Sequence, residues 1–345
     1  WASTLDKSDV DIMKDRIKNG ANLLESHVFQ FDFLKDEFED KCPKDLLDII
    51  QDKEKRKKLI IYINPPYAEV SSIGKKGKKG VNNSRIHDKY SKILGTAGRE
   101  VYAPFLCRIY FELKGALIAE FSKLKLIQSP AFDSFREYFK PKLEKMFIAQ
   151  SYTFDNVGGN FPIGFKIWNP NIKEKFKSIL CEVYSDKGDL IGRQIISLTQ
   201  PEHVINRWIT RYKPQVKLIE DNKIGFLCGT NGNDFQQNRI VYIYNRKEQM
   251  ANPRGTWITP ENLIECSIYL TVRRCIEKNW TNDRTQYTIP NEKWETDKDF
   301  QSDCFTMALF INDIKSSEGK NHWIPYTEQE VDAKNSFESH FMTDY

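Results

Sequence analysis

Leu59-Ile60-Ile61-Tyr62-Ile63-Asn64-Pro65-Pro66-Tyr67 is the stretch on which the reading of this chain turns. Its five leading apolar residues lie between a basic cluster at 53–58 and an Asn-Pro-Pro turn. That pattern predicts a strand buried on both faces, as in a parallel sheet. The tetrapeptide Asn64 to Tyr67 then projects from the carboxyl edge of that strand, where open α/β sheets bind their ligands. Physically it is a compact device for an exocyclic amino group. The Asn64 side-chain oxygen and the Pro65 carbonyl can each accept a hydrogen bond from an –NH2, and the prolines stiffen the turn and remove competing N–H donors. Tyr67 offers a flat face on which a planar base can stack, worth roughly 1–3 kcal/mol per base. Two acceptors would draw the amine lone pair out of conjugation and aim it at an electrophile, by positioning and electrostatics alone. The same four residues also read as a Pro-Pro turn closing a core strand.

Working outward, the N-terminal side predicts a strand at 1–5, a helix over 8–25, a strand at 28–31 and a charged helical stretch at 44–58. On the C-terminal side, 64–89 is a Gly- and Lys-rich loop. A helix over 100–114, a strand at 116–120 and a helix over 132–139, closed by Pro141, follow. Strands at 145–152 and 163–168 flank a turn cluster at 156–160. Strand and helix alternate to about residue 145 and then give way to hairpins. The expected architecture is therefore α/β, with a mostly parallel sheet and an antiparallel edge. Beyond 172 the signal becomes mixed α+β, with hairpin pieces at 179–198 and 240–245 and a helix near 260–277. For 345 residues this gives two domains, 1–172 and 173–345.

Composition narrows the class. At 40% hydrophobic residues the chain has too much apolar material to be disordered. No apolar run approaches the roughly 20 residues of a transmembrane helix, and the opening residues Trp1-Ala2-Ser3-Thr4 carry no secretory signal. A cytoplasmic protein without membrane partners is expected. The seven cysteines are scattered, with no Cys-x-x-Cys or Cys/His spacing, which points to reduced thiols and no metal. A net charge of +4 leans only slightly towards a polyanion, but the basic run Lys75-Lys76-Gly77-Lys78-Lys79 directly follows the tetrapeptide.

Residues 59–67 resemble the catalytic motif of amino-methyltransferases that use S-adenosyl-L-methionine. The surrounding order resembles the γ-type DNA adenine methyltransferases, which form the modification part of long bacterial restriction-modification enzymes. The resemblance covers about residues 1–170 and implies a Rossmann-like methyltransferase sheet. It implies that Asn64, Pro65, Pro66 and Tyr67 are catalytic. Asp32-Phe33 matches the family's acidic motif, in which the Asp accepts from the cofactor's adenine amino group and the Phe packs on its ring. Asp6 matches the acid that holds the ribose hydroxyls. Phe105, in Val101-Tyr102-Ala103-Pro104-Phe105-Leu106, matches the Phe that covers the cofactor adenine. Phe154, in Tyr152-Thr153-Phe154, matches the Phe that meets the flipped base; Phe161 competes for that role, with Phe154 favoured. Lys75, Lys76, Lys78 and Lys79 are placed to grip phosphates of double-stranded DNA and close over an extruded nucleotide, since the adenine amine is unreachable inside the stack.

Each assignment has a plainer counterpart. Asp32 also reads as a turn cap, Asp6 as a strand-end acid, Phe105 as a core residue, Phe154 as hairpin packing and the lysine run as a solvated linker. The family's Gly-rich cofactor loop is absent and would precede Trp1, so the chain reads as a piece of a longer polypeptide; the inferred activity belongs to that parent, and poor cofactor binding is expected of this piece alone. A permuted loop at Phe226 to Gly232 is disfavoured, because turn and strand rather than helix follow it. In 173–345, which by position resembles a target-recognition part, Trp208, Arg207, Arg211, Arg273 and Arg274 suit either a DNA-facing surface or ordinary packing. The expected function is adenine methylation in duplex DNA by base flipping. The alternatives are a DNA-binding specificity module without catalysis, or an amino-methyltransferase acting on protein glutamine or RNA.

Overall fold

The computed structural model describes residues 1–67, 84–154, 157, 159–215, 222–229, 232–236, 241–244, 254–310, 314–316 and 319–320. The chain divides into two compact units, Trp1–Leu198 and Thr199–Tyr345. Among the described residues no helix is long and apolar enough to cross a membrane.

The first unit opens with β1 (Ala2–Thr4), the helix Lys7–Lys18 and β2 (Val28–Gln30), and β2 lies parallel to β1. The helix carries Asp9 in its first turn and Arg16 and Lys18 in its last, which suits the helix dipole. It stops well short of residue 25 because Gly20 takes a φ of +100°, a conformation that ends helices. The charged stretch at 44–58 is likewise broken into Lys44–Gln51 and Lys53–Arg56. The break is Asp52, whose side chain accepts from the amides of Glu54 (2.8 Å) and Lys55 (2.9 Å) as an N-cap.

Six further strands follow: β3 (Ile60–Ile63), β4 (Leu117–Lys123), β5 (Pro141–Gln150), β6 (Pro162–Lys173), β7 (Ser178–Tyr184) and β8 (Leu190–Ser197). They form one sheet in the order β3-β4-β6-β5-β7-β8. β3 runs parallel to β4 and β5 parallel to β7, while β4–β6, β5–β6 and β7–β8 are antiparallel. The α/β expectation holds as a mixed sheet accompanied by helices. Antiparallel pairing is not confined to an edge, because the short β5–β6 connection permits only an antiparallel pair and brings β6 inside the sheet. Pro141, expected to close a helix, instead begins β5, where a missing N–H is tolerated. The pairing of β7 with β5 carries the first unit through to Leu198.

One expectation about β3 fails. It is an end strand rather than one buried on both faces, and Ile60 and Tyr62 are 63% and 64% exposed. Ile61 and Ile63 point to the half-buried face, and the described residues leave the other face open.

Within the sheet, Lys166 on β6 is wholly buried. Its ammonium lies 3.1 Å from Glu120 Oε1 and donates to Ser122 Oγ (2.8 Å) and the Gly164 carbonyl (3.0 Å). Trp168 Nε1 donates to the same Glu120 oxygen at 3.1 Å. Burial pulls the Lys166 pKa down, and the Glu120 carboxylate opposes that shift.

The second unit holds β9 (Gly225–Cys228), β10 (Tyr242–Tyr244), β11 (Gly255–Ile258), β12 (Ile314–Ser316) and β13 (Gly319–Lys320), in the sheet order β11-β9-β10-β12-β13. A Cβ on Gly255 would stand 1.8 Å from the Leu227 carbonyl oxygen, so β11 can lie against β9 only with glycine there. Leu227, Ile258, Tyr269 and Trp208 share its core. Trp208 is therefore packing, not a DNA-facing ring. Arg273 is equally buried, with its guanidinium 4.6 Å from the Tyr287 ring centre, whereas Arg207 and Arg211 are exposed. The segment from Phe226 is strand up to Cys228, and the rest of that glycine-containing stretch lies partly outside the described residues.

Candidate functional site

Asn64, Pro65, Pro66 and Tyr67 follow β3 directly, at the carboxyl edge it shares with its parallel neighbour β4. Pro65 is buried, Asn64 and Pro66 are exposed and Tyr67 is half-buried. The Tyr67 hydroxyl donates to Asn64 Oδ1, so the two polar groups of the tetrapeptide are joined. Burial raises the Tyr67 pKa, and the nearby charge of Glu120 adds to the effect. The phenol is thus held neutral and able to donate.

Phe154 lies just past the carboxyl end of β5. Since β5 pairs with β6, β6 with β4 and β4 with β3, the β5–β6 connection is brought over to the tetrapeptide. The Phe154 ring stands 5.6 Å from that of Tyr67, with planes at 80°, and 5.1 Å from Phe121 of β4. Phe121 had no place in the sequence reading. Its signal is the alternation along β4, which puts Ala119, Phe121 and Lys123 on one face.

Phe161 sits at the start of β6, buried, with the Lys123 ammonium 6.0 Å from its ring centre. The built contact is with Gly159, whose φ is +98° and whose absent Cβ would meet Phe161 Cδ1 at 3.3 Å. Lys75, Lys76, Lys78 and Lys79 lie outside the described residues.

A second group forms at the ends of β1 and β2. Thr4 pairs with Gln30 in the parallel register, so Asp6 and Asp32, each two residues further on, leave the same end of the pair. Asp6 is exposed and precedes the Lys7–Lys18 helix without a side-chain capping bond. Asp32 folds its own turn: its Oδ1 accepts from the Leu34 amide (3.0 Å), and its amide donates to Asp36 Oδ2 (2.8 Å). That is the capping role the sequence left open, and it keeps the carboxylate at the strand end.

Phe33, next in the loop, stacks on Phe105 of the Tyr102–Glu112 helix, with centroids 5.4 Å apart and planes at 7°. Both rings are half-buried. The structure therefore joins Phe33 to Phe105, and Tyr67 to Phe154, from segments far apart in sequence.

The residue that ties the first of these pairs together is Arg108, which sequence reasoning missed. It is fully buried and donates to the carbonyls of Phe33 and Asp36, each at 2.6 Å, and to Glu112 Oε2 at 2.9 Å. The signal for it was a single cation within the apolar run Phe105-Leu106-Cys107-Arg108-Ile109-Tyr110.

Chemically, the first group offers an amide oxygen and two aromatic rings to a planar, amine-bearing partner. The second offers two acids and two aromatic rings, which suit the hydroxyls and base of a nucleoside. In comparisons with known proteins, the chain matches no family model and no curated protein.

Proposed function

We propose that this chain is the modification part of an S-adenosyl-L-methionine-dependent methyltransferase acting on the exocyclic amine of adenine in duplex DNA, on a Rossmann-like sheet. The observation that carries the reading is the placement of Phe154 edge-on to Tyr67, whose hydroxyl is bonded to Asn64 at the carboxyl edge of the sheet. A flipped adenine would stack on Tyr67 and be bounded by Phe154. Its amino group would donate to Asn64 Oδ1 in place of the Tyr67 hydroxyl, and to the Pro65 carbonyl.

The residues at the ends of β1 and β2 fit the adenosine part of the cofactor. Asp6 would hold the ribose hydroxyls, Asp32 the adenine amino group, and Phe33 and Phe105 the ring. When bound, S-adenosyl-L-methionine supplies a methyl group on a positively charged sulfur. Asn64 and Pro65 would hold the amine so that its lone pair faces the methyl donor. The methylated amine then gives one proton to water. Lys75, Lys76, Lys78 and Lys79 would contact the phosphates on either side of the flipped nucleotide.

The test is methyl transfer by the full-length protein from labelled S-adenosyl-L-methionine to duplex DNA, read as N6-methyladenine in the hydrolysed product. Asn64→Ala should abolish transfer while the folded protein persists. Transfer to RNA or to a glutamine amide, with none to DNA, would change the acceptor. DNA binding with no transfer to any of the three would replace the enzyme reading by that of a specificity module.

A further inference from the structure

We propose that Arg108 is the positioning residue of the nucleoside-binding half of the site, setting Phe33 and Phe105 relative to one another. The inference rests on the methyltransferase reading for the identity of the ligand, and on geometry alone for the positioning.

Phe33 belongs to the loop after β2, and Phe105 to the Tyr102–Glu112 helix. Among the described residues no pairing between strands connects the two segments directly. Arg108 lies one helical turn beyond Phe105, on the same helix face. From there its guanidinium forks to two carbonyls of the opposite loop, Phe33 O and Asp36 O, each at 2.6 Å. Its Nε is anchored to Glu112 Oε2 at 2.9 Å on its own helix. Glu112 is fixed in turn by Lys89 (2.7 Å) and the Tyr90 hydroxyl (3.0 Å). The guanidinium also lies 4.2 Å from the centre of the Phe38 ring and 5.2 Å from that of Phe33. Arg85 and the Ile86 amide also bond this loop, at Lys35 O (3.1 Å) and Leu34 O (3.3 Å), but they lie on another segment; the side-chain fork that runs from the Phe105 helix to the Phe33 carbonyl is that of Arg108.

The fork explains the residue type. Two carbonyls and a carboxylate around one planar group need three donors at fixed angles, which guanidinium has and ammonium does not. The stack is also closed. At 5.4 Å between centroids the rings touch each other, whereas a third ring between them requires about 7 Å, twice the roughly 3.5 Å carbon–carbon contact. An adenine must therefore part the rings or stack on an outer face. Either way, its affinity depends on how firmly the loop is held.

The experiment compares the wild type with Arg108→Lys in the full-length protein, by hydrogen exchange and by titration with S-adenosyl-L-methionine. Lysine keeps the charge beside Glu112 but cannot fork. Exchange protection at the amides of Leu34 to Asp36 should fall about tenfold in Arg108→Lys, with the Tyr102–Glu112 helix still protected. Cofactor affinity should weaken by a similar factor, and the KM for cofactor should rise more than kcat falls. Unchanged loop exchange would overturn the proposal and leave the methyltransferase reading intact. Faster exchange with unchanged affinity would reduce Arg108 to a purely structural role and overturn it too. A wild type that binds no S-adenosyl-L-methionine, yet shows the Arg108-dependent protection, would sink the cofactor reading and with it the ligand half of the proposal.

Discussion

The ring of Phe154 stands edge-on to that of Tyr67, 5.6 Å between centroids and 80° between planes, although one follows β5 and the other β3. Neither strand is the other's neighbour; β4 and β6 lie between them. The contact depends on the connections at one edge of the sheet converging, and the hydrogen bond from Tyr67 to Asn64 makes it a three-residue unit.

That unit predicts graded losses. Tyr67→Ala and Phe154→Ala should each lower kcat/KM for DNA methylation by roughly ten- to a hundredfold, the equivalent of about 1–3 kcal/mol of base stacking. Tyr67→Phe keeps the ring and should lose less. Steady-state assays on a duplex oligonucleotide decide this, and a Phe154→Ala enzyme of wild-type efficiency would remove Phe154 from the site.

The Lys166–Glu120 pair predicts an asymmetry between single and double variants. Lys166→Met alone leaves the Glu120 carboxylate buried without its cation and should cost about 3–5 kcal/mol. Replacing both residues with apolar side chains of similar volume should recover most of that loss. Denaturant midpoints for the wild type, Lys166→Met, Glu120→Leu and the double variant form a double-mutant cycle, and additive losses would show that the pair is not coupled.

Glu112 predicts an acid limb to the stability of the first unit. Burial would raise its pKa, but hydrogen bonds from Lys89, Arg108 and Tyr90 outweigh that and hold it below its ordinary 4.5. The folded state then binds fewer protons than the unfolded one, so stability rises with pH. The Glu112 contribution is complete above 4.5 and drains away as pH falls through the depressed folded value. Glu112→Gln should flatten that limb in a series of denaturant melts taken downward from about pH 6.

Asp283 in the second unit has the opposite sign. Burial raises its pKa from 3.8 to about 6, Arg284 opposes the shift and Asp234 adds to it. The folded state holds this proton more tightly than the unfolded chain, so stability falls as pH rises from 3.8 through about 6. Asp283→Asn should therefore stabilise the protein near neutral pH, by up to about 3 kcal/mol, with little effect in acid. A variant that melts lower than the wild type at neutral pH would contradict this.

Much of the fold was legible because its determinants are local. The strand at Ile60–Ile63 and the helix at Tyr102–Glu112 follow from apolar period, and they lie within a few residues of where the sequence puts them. Of the loop expected over 64–89, residues 68–83 lie outside the described residues and Arg85–Lys89 is instead a helix, capped by the Ser84 side chain. The early stop at Gly20 and the break at Asp52 were equally local, but each hangs on one backbone conformation or one side-chain cap, which periodicity averages away. Arg108 was missed for another reason. A buried cation is indistinguishable from a solvated one until its carbonyl partners, Phe33 and Asp36, are in place.

By itself, then, the sequence determined the alternation of strand and helix and the tetrapeptide at a strand's carboxyl end. Both are set by residues near one another along the chain. Only the tertiary structure decided that β3 is an end strand with Ile60 and Tyr62 exposed, and that β6 lies inside the sheet. It also decided that Tyr67 meets Phe154, that Phe33 meets Phe105 and that Glu120 neutralises Lys166. Those outcomes depend on which distant segments pack together, and the chain selects that arrangement by burying apolar surface and pairing polar groups over the whole fold rather than within any one stretch.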